Sequence, residues 1–115
     1  GCTGIMVSNH GGRQLDGARS PFDQLAELCD AVGDKIDVIC EGGIQRGTHV
    51  LKALSVGAKA CSAGRLYLYA LAAGGQAGVE RVLSQMKLEI ERDMKLMGVT
   101  KVSQLNRDNL RFRKQ

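Results

Sequence analysis

A chain of 115 residues, 43% hydrophobic and 24% charged, is ordinary for a globular domain and long enough to bury one modest core. Sixteen basic against twelve acidic side chains leave a net charge of +4, and the excess gathers late, at Arg107, Arg111, Arg113 and Lys114. Four aromatics (Phe22, Tyr67, Tyr69 and Phe112) give no stacking platform for single strands, so nucleic acid is set aside, and no apolar run approaches the roughly 20 residues of a membrane-spanning helix.

The basic tail reads as a solvated terminus, with an acidic membrane surface as the alternative contact. The chain opens at Gly1 directly into a strand-like segment, without a methionine or a signal peptide, which leads to the expectation of a piece of a longer protein. Cysteines stand at positions 2, 29, 40 and 61; none forms a C-x-x-C pair, and the two histidines complete no zinc pattern. Cys40 and Cys61 fall in apolar, strand-like runs where a buried reduced thiol is expected, which fits a cytosolic setting.

In chain order, residues 4–8 (GIMVS) form a short apolar strand that ends in the polar loop NHGGRQLDGAR. Ser20 then caps a helix with Pro21 in its first position and Asp23 in its first turn. Phe22, Leu25, Ala26, Leu28, Cys29 and Val32 supply its apolar face, and Gly33 stops it. A second strand, Ile36 to Cys40, runs into Glu41-Gly42-Gly43. A helix follows from about Thr48 to Val56, with Val50, Leu51 and Leu54 inward and Gly57 as terminator. A third strand, Lys59 to Ala63, ends in Gly64-Arg65 and a short helix, Leu66 to Ala73. Gly74-Gly75 breaks the chain. Beyond it Val79, Val82, Leu83, Met86, Ile90, Met94 and Met97 mark one stripe of a long amphipathic helix, with Lys87–Glu91 and Glu91–Lys95 pairs on its outer face.

Three apolar strands separated by helices predict a parallel α/β sheet covered on both faces. Three strands alone leave two open edges, which a closed barrel abolishes. The fold expected is therefore the C-terminal part of a (β/α)8 barrel, followed by a long C-terminal helix; a doubly wound sheet is the alternative from pattern alone. Residues 1–115 make one domain segment.

In parallel barrels the chemistry gathers in the loops that follow the strands. Here those loops are SNHGGRQLD, EGGIQRG and AGR, each mixing glycine with a polar or charged group. Glycines let backbone N–H groups approach an anion, and a helix N-terminus adds favourable potential, so the two later loops read as a phosphate cradle. From the residues alone the reading is a barrel segment with a phosphate site and a His/Arg pair nearby.

The stretch Ser8-Asn9-His10-Gly11-Gly12-Arg13-Gln14-Leu15-Asp16 resembles the signature of the FMN-dependent 2-hydroxy-acid dehydrogenases and oxidases, which include L-lactate, glycolate and mandelate enzymes. The resemblance continues through EGGIQRGTHVLKALSVGA and AGRLYLYALA to GVTKVSQL, nearly the whole chain. It implies FMN as cofactor, a small 2-hydroxy acid as substrate, and oxygen, a quinone or a cytochrome as electron acceptor. It also implies a homo-oligomer, and a cytoplasmic protein or one peripheral on the inner face of the cytoplasmic membrane.

Position by position, the resemblance makes His10 the base that accepts a proton from the substrate's α-carbon or hydroxyl, a task suited to imidazole, which titrates near neutral pH. Arg13 would clamp the carboxylate through its planar fork of donors. Ser8 would lie at the flavin's pyrimidine edge. Glu41, Gly42 and Gly43 would hold the ribityl chain and approach the phosphate, and Gly64 and Arg65 would bind the phosphate. Gln45 and Arg46 occupy the positions of an Arg-Arg pair in the same cofactor set.

Two departures stand out. Glu41 replaces the family's usual aspartate, placing its carboxylate one methylene further out. Gln45 replaces the first arginine of the pair, so phosphate binding is expected to lean on Arg65. His49 is expected to face solvent or a neighbouring helix, with no role. The leading reading is FMN-dependent oxidation of an L-2-hydroxy acid, L-lactate first. The alternatives are an FMN barrel enzyme with another substrate, or a truncated barrel piece without activity of its own that serves only in folding or interaction.

Overall fold

A computed structural model describes residues 1–112. In chain order the elements are β1 (Gly4–Val7), α1 (Pro21–Val32), β2 (Asp37–Glu41), α2 (Gly47–Val56), β3 (Ala60–Ser62) and α3 (Arg65–Leu96), with 3-10 turns at His10–Gly12, Val102–Gln104 and Arg107–Asn109. Every expected strand and helix forms.

Local signals set the boundaries. At the start of α1 the Ser20 hydroxyl oxygen accepts the Asp23 N–H at 3.2 Å and donates to the Asp23 carboxylate at 2.7 Å, while Pro21 sits where no N–H is needed. At its end the Gly33 N–H closes on the Cys29 carbonyl at 3.0 Å. The long α3 is two helices joined at Gly74 and Gly75, whose backbone leaves the helical region (Gly75 φ 57°, ψ −142°), so the expected glycine break is real.

The three strands form one parallel sheet in the order β1-β2-β3, with Val7 beside Cys40 and Cys40 beside Cys61. Val7, Val38 and Cys40 on one face pack with Leu25 of α1, Ala53 and Val56 of α2, and Ala58 to make the core. Leu25 is fully buried, so Leu25→Ala is expected to cost about 2–5 kcal/mol. The opposite face differs from expectation. The strands are apolar on both sides, yet Met6 is 54% exposed, Ala60 is exposed and Ile39 is half-buried, so this chain covers only one face. A sequential strand order with the core helices on one face is the arc of a (β/α)8 barrel. A doubly wound sheet would carry helices on both faces and reverse its strand order.

α2 buries Leu51, Ala53, Ser55 and Val56, leaving Val50 and Leu54 half-buried, because it contacts α1, β3 and α3 rather than a single layer. Along α3, Val79, Val82, Met86, Ile90 and Met94 are half-buried, but Leu83 and Met97 are exposed. Lys87 reaches Glu91 at 3.8 Å, whereas Glu91 and Lys95 form no ion pair. The fully engaged residue on this helix is a carboxylate, Glu89, only 5% exposed.

The tail also departs from expectation. Arg107 is exposed but tethered: its guanidinium holds Asp30 at 2.6 and 3.2 Å, and its Nε donates to the Val56 carbonyl at 3.0 Å. It staples the tail to α1 and α2, and holds the Asp30 carboxyl below its ordinary value. Arg113 and Lys114 lie outside the described residues. All four cysteines are free; Cys40 is buried, and burial followed by the neighbouring Cys40 pushes the half-buried Cys61 thiol up to about 11.

Candidate active site

The C-terminal ends of β1, β2 and β3 open into one cavity of about 510 Å3. Of the ten residues singled out from the sequence, eight line it: His10, Arg13, Glu41, Gly42, Gly43, Gln45, Gly64 and Arg65. Ser8 and Arg46 do not. The charged groups on the wall are two arginines and one carboxylate, which favours an anionic guest.

The loop after β1 turns through three successive left-handed residues, His10 (φ 53°), Gly11 (φ 70°) and Gly12 (φ 73°). His10 is the one non-glycine residue with positive φ among the described residues. That conformation costs an L-residue about 1–2 kcal/mol and persists only where neighbours over-determine it. Here three side chains do so. Ser8 Oγ accepts the His10 N–H at 3.0 Å, Asn9 Oδ1 accepts the Gly11 N–H at 3.1 Å, and Arg65 Nη2 donates to the Gly11 carbonyl at 3.0 Å. The Ser8 hydroxyl in turn donates to Glu41 Oε2. A β-carbon at position 11 would push the Arg65 guanidinium aside and with it the bond to the Gly11 carbonyl.

The loop after β2 is anchored by the buried Ile44. His49, expected to face solvent or a neighbouring helix, instead lies half-buried against this loop, its Nδ1 3.2 Å from the Gln45 backbone nitrogen and 3.1 Å from the Gly43 carbonyl. Unprotonated, Nδ1 accepts from Gln45; protonated, it donates to Gly43. In either state the ring braces the loop that carries Gly43 and Gln45.

Arg46 lies apart from these residues. It is absent from the cavity wall because Glu89 of α3 holds it: Nε lies 2.9 and 3.1 Å from the two carboxylate oxygens and Nη2 lies 2.9 Å from Oε1. Glu89 Oε2 also accepts the Gly47 N–H at 2.8 Å, capping α2. These contacts, Arg46 first and the Gly47 N–H second, hold the Glu89 carboxyl below its ordinary value. A β-carbon on Gly47 would sit 2.6 Å from Glu89 Cβ, so only glycine lets α3 come this close. The pair docks α3 onto α2. The signal that could have revealed it is Glu89's spacing: it falls three residues after Met86, on the apolar stripe.

The loop after β3 is the shortest. Gly64 caps α3 without a side-chain partner, and Arg65 is the first helical residue, so the open N–H groups of the first turn border the cavity beside Gly64, Arg65 and Leu66.

Residues 1–112 match the family model described as FMN-dependent dehydrogenase. The chain belongs to that family. Among relatives of this FMN-dependent dehydrogenase segment, the L-lactate dehydrogenase (cytochrome) of Saccharomyces cerevisiae is 45% identical over 115 residues, covering 96% of this chain and 20% of its own. An L-lactate oxidase of Nostoc sp. is 47% identical over 106 residues, covering 92% of this chain and 29% of its own. The crystal structure of a soluble mutant of the membrane-associated (S)-mandelate dehydrogenase from Pseudomonas putida superposes with a TM-score of 0.91 at 41% identity, covering 96% of this chain and 31% of that one. The chain thus spans less than a third of these proteins. No helix among the described residues is long and apolar enough to cross a membrane.

Proposed function

We propose that residues 1–115 are the C-terminal segment of a single FMN-binding (β/α)8 barrel domain that oxidises a small L-2-hydroxy acid, L-lactate first, to the 2-oxo acid. The observation that carries this reading is the convergence of His10, Arg13, the Gly42-Gly43 loop and Gly64-Arg65 on one cavity at the strands' C-terminal ends.

The residues present fit FMN. A β-carbon on Gly43 would stand in open space, so the backbone there is free for close approach, and the α3 N-terminus with Arg65 suits a phosphate. In this reading Glu41, Gly42 and Gly43 would hold the ribityl chain and approach the phosphate, Gly64 and Arg65 with Gln45 would bind the phosphate, Ser8 would lie at the flavin's pyrimidine edge, and Arg46, engaged by Glu89, would dock α3. FMN, when bound, supplies the acceptor for the two electrons that leave the substrate's α-carbon. Two protons leave with them, one from the α-carbon and one from the hydroxyl: His10 takes up one, the flavin would receive the other with the electron pair, and Arg13 binds the carboxylate bidentately, fixing the α-carbon beside His10. The final electron acceptor would be oxygen, a quinone or a cytochrome, and the complete barrel would assemble as a homo-oligomer in the cytoplasm or against the membrane's inner face.

The complete protein should be yellow, and anaerobic L-lactate should bleach its flavin band, with glycolate and L-mandelate as comparators. Replacing Arg13 by Lys keeps the charge but loses the fork, so KM should rise and kcat fall together. A colourless protein, or a flavin that no 2-hydroxy acid reduces, would refute the proposal.

A further inference from the structure

The left-handed turn at His10 is held from two directions by residues of other loops, and one of these contacts depends on the length of the residue at position 41. Glu41 ends β2 and Ser8 follows β1, and the two are joined through Glu41 Oε2 and the Ser8 hydroxyl. That hydroxyl has one proton. Donating it to the carboxylate turns an oxygen lone pair toward the His10 N–H, which it accepts at 3.0 Å. The three groups form a chain, Glu41 carboxylate to Ser8 hydroxyl to His10 amide, in which an anionic acceptor at one end polarises the whole. A β-carbon at Gly64 would come within 3.8 Å of the second carboxylate oxygen, Oε1, so Glu41 also lies near the start of α3. One side chain therefore ties the loop after β2 to the loop after β1.

We propose that Glu41 is a positioning residue for His10, acting through Ser8 to hold the histidine backbone in its left-handed turn with the side chain on the cavity wall. The role rests on the reading of His10 as the base. An aspartate at position 41 would be one methylene shorter and would draw its carboxylate back from Ser8, leaving the hydroxyl free to rotate and the His10 amide without a fixed acceptor. Arg65, pulling on the Gly11 carbonyl from the other side, would then hold the turn alone.

The test uses the complete flavin-loaded protein and the variants Glu41→Asp, Ser8→Ala, Ser8→Thr and the double variant Glu41→Asp/Ser8→Ala. The first readout needs no substrate: hydrogen exchange of the His10 amide, identified by NMR through the Asn9 carbonyl carbon. Exchange should speed up by about tenfold in Glu41→Asp and Ser8→Ala, the loss of one charge-assisted bond, and should return toward the parent in Ser8→Thr, which restores the hydroxyl. The second readout is the kcat and KM split with a 2-hydroxy acid. Both single variants should lose about tenfold in kcat with little change in KM, and the double variant should lose no more than either. Unchanged His10 exchange in Glu41→Asp, or additive losses in the double variant, would overturn the relay. The exchange measurement decides the relay even where hydroxy-acid turnover fails, so its failure and that of the functional reading are told apart.

Discussion

The junctions after β2 and after β3 carry the same local pattern, a strand, glycine, an arginine and the N-terminus of a helix. They put their arginines to different uses. Arg65 borders the cavity and donates to the Gly11 carbonyl of the loop that bears His10. Arg46 turns away to Glu89, 43 residues further along the chain, and leaves the cavity wall to Gln45. The difference teaches that a helix-start arginine stays at the cavity wall only where no buried carboxylate claims it first. Glu89 makes that claim here because Gly47 lets α3 approach to contact distance.

The sharpest way to break this comparison is to remove each arginine in turn and measure FMN affinity in the complete protein. Arg65→Ala should weaken FMN by about 10- to 100-fold, the loss of hydrogen bonds from a charged donor. Arg46→Ala should leave FMN affinity near the parent while lowering the melting temperature. Equal losses of FMN affinity would put both arginines on the phosphate and refute the division.

Glu89 gives a smaller effect with a defined pH dependence. Its carboxyl is held below the ordinary value in the folded state, so the stability it contributes is complete above the usual carboxylate range and is lost as pH falls through the lowered value. Thermal unfolding of Glu89→Gln should show a drop of several degrees at neutral pH and a flatter dependence on acidification than the parent. Parallel acid profiles would show that Glu89 carries no such linkage. The smallest expected effect is at Gln45, where Gln45→Arg should tighten FMN by less than about tenfold, an advantage that added salt erodes. An unchanged dissociation constant would place the side chain off the phosphate.

Much of the fold was legible because each boundary has a local chemical cause. Ser20-Pro21 starts α1, Gly33 ends it, and Gly74-Gly75 breaks α3, all signals contained within a few residues. The site was legible through its glycine-rich loops, since strands that end at one edge of a parallel sheet must deliver their loops to one place. Tertiary pairing was not legible. Nothing in the sequence singled out Glu89, Arg107 read as part of a solvated tail, and His49 was expected to face solvent or a neighbouring helix. Each found its partner in an element distant in sequence or in a neighbouring loop backbone. The bare face of Met6, Ile39 and Ala60 belongs to the same class: the strands are apolar on both sides, but which side this chain's own helices cover is decided by the barrel's curvature.

The central claim, that His10 is the base at a cavity built for an anionic substrate and FMN, is tested most directly by stopped-flow reduction of the bound flavin in the complete protein. L-lactate should reduce the parent's flavin rapidly under anaerobic conditions. His10→Ala should retain its flavin yet reduce it about 10²–10⁴-fold more slowly, the span expected for loss of a general base. Reduction in His10→Ala at the parent's rate, with flavin equally bound, would contradict the account.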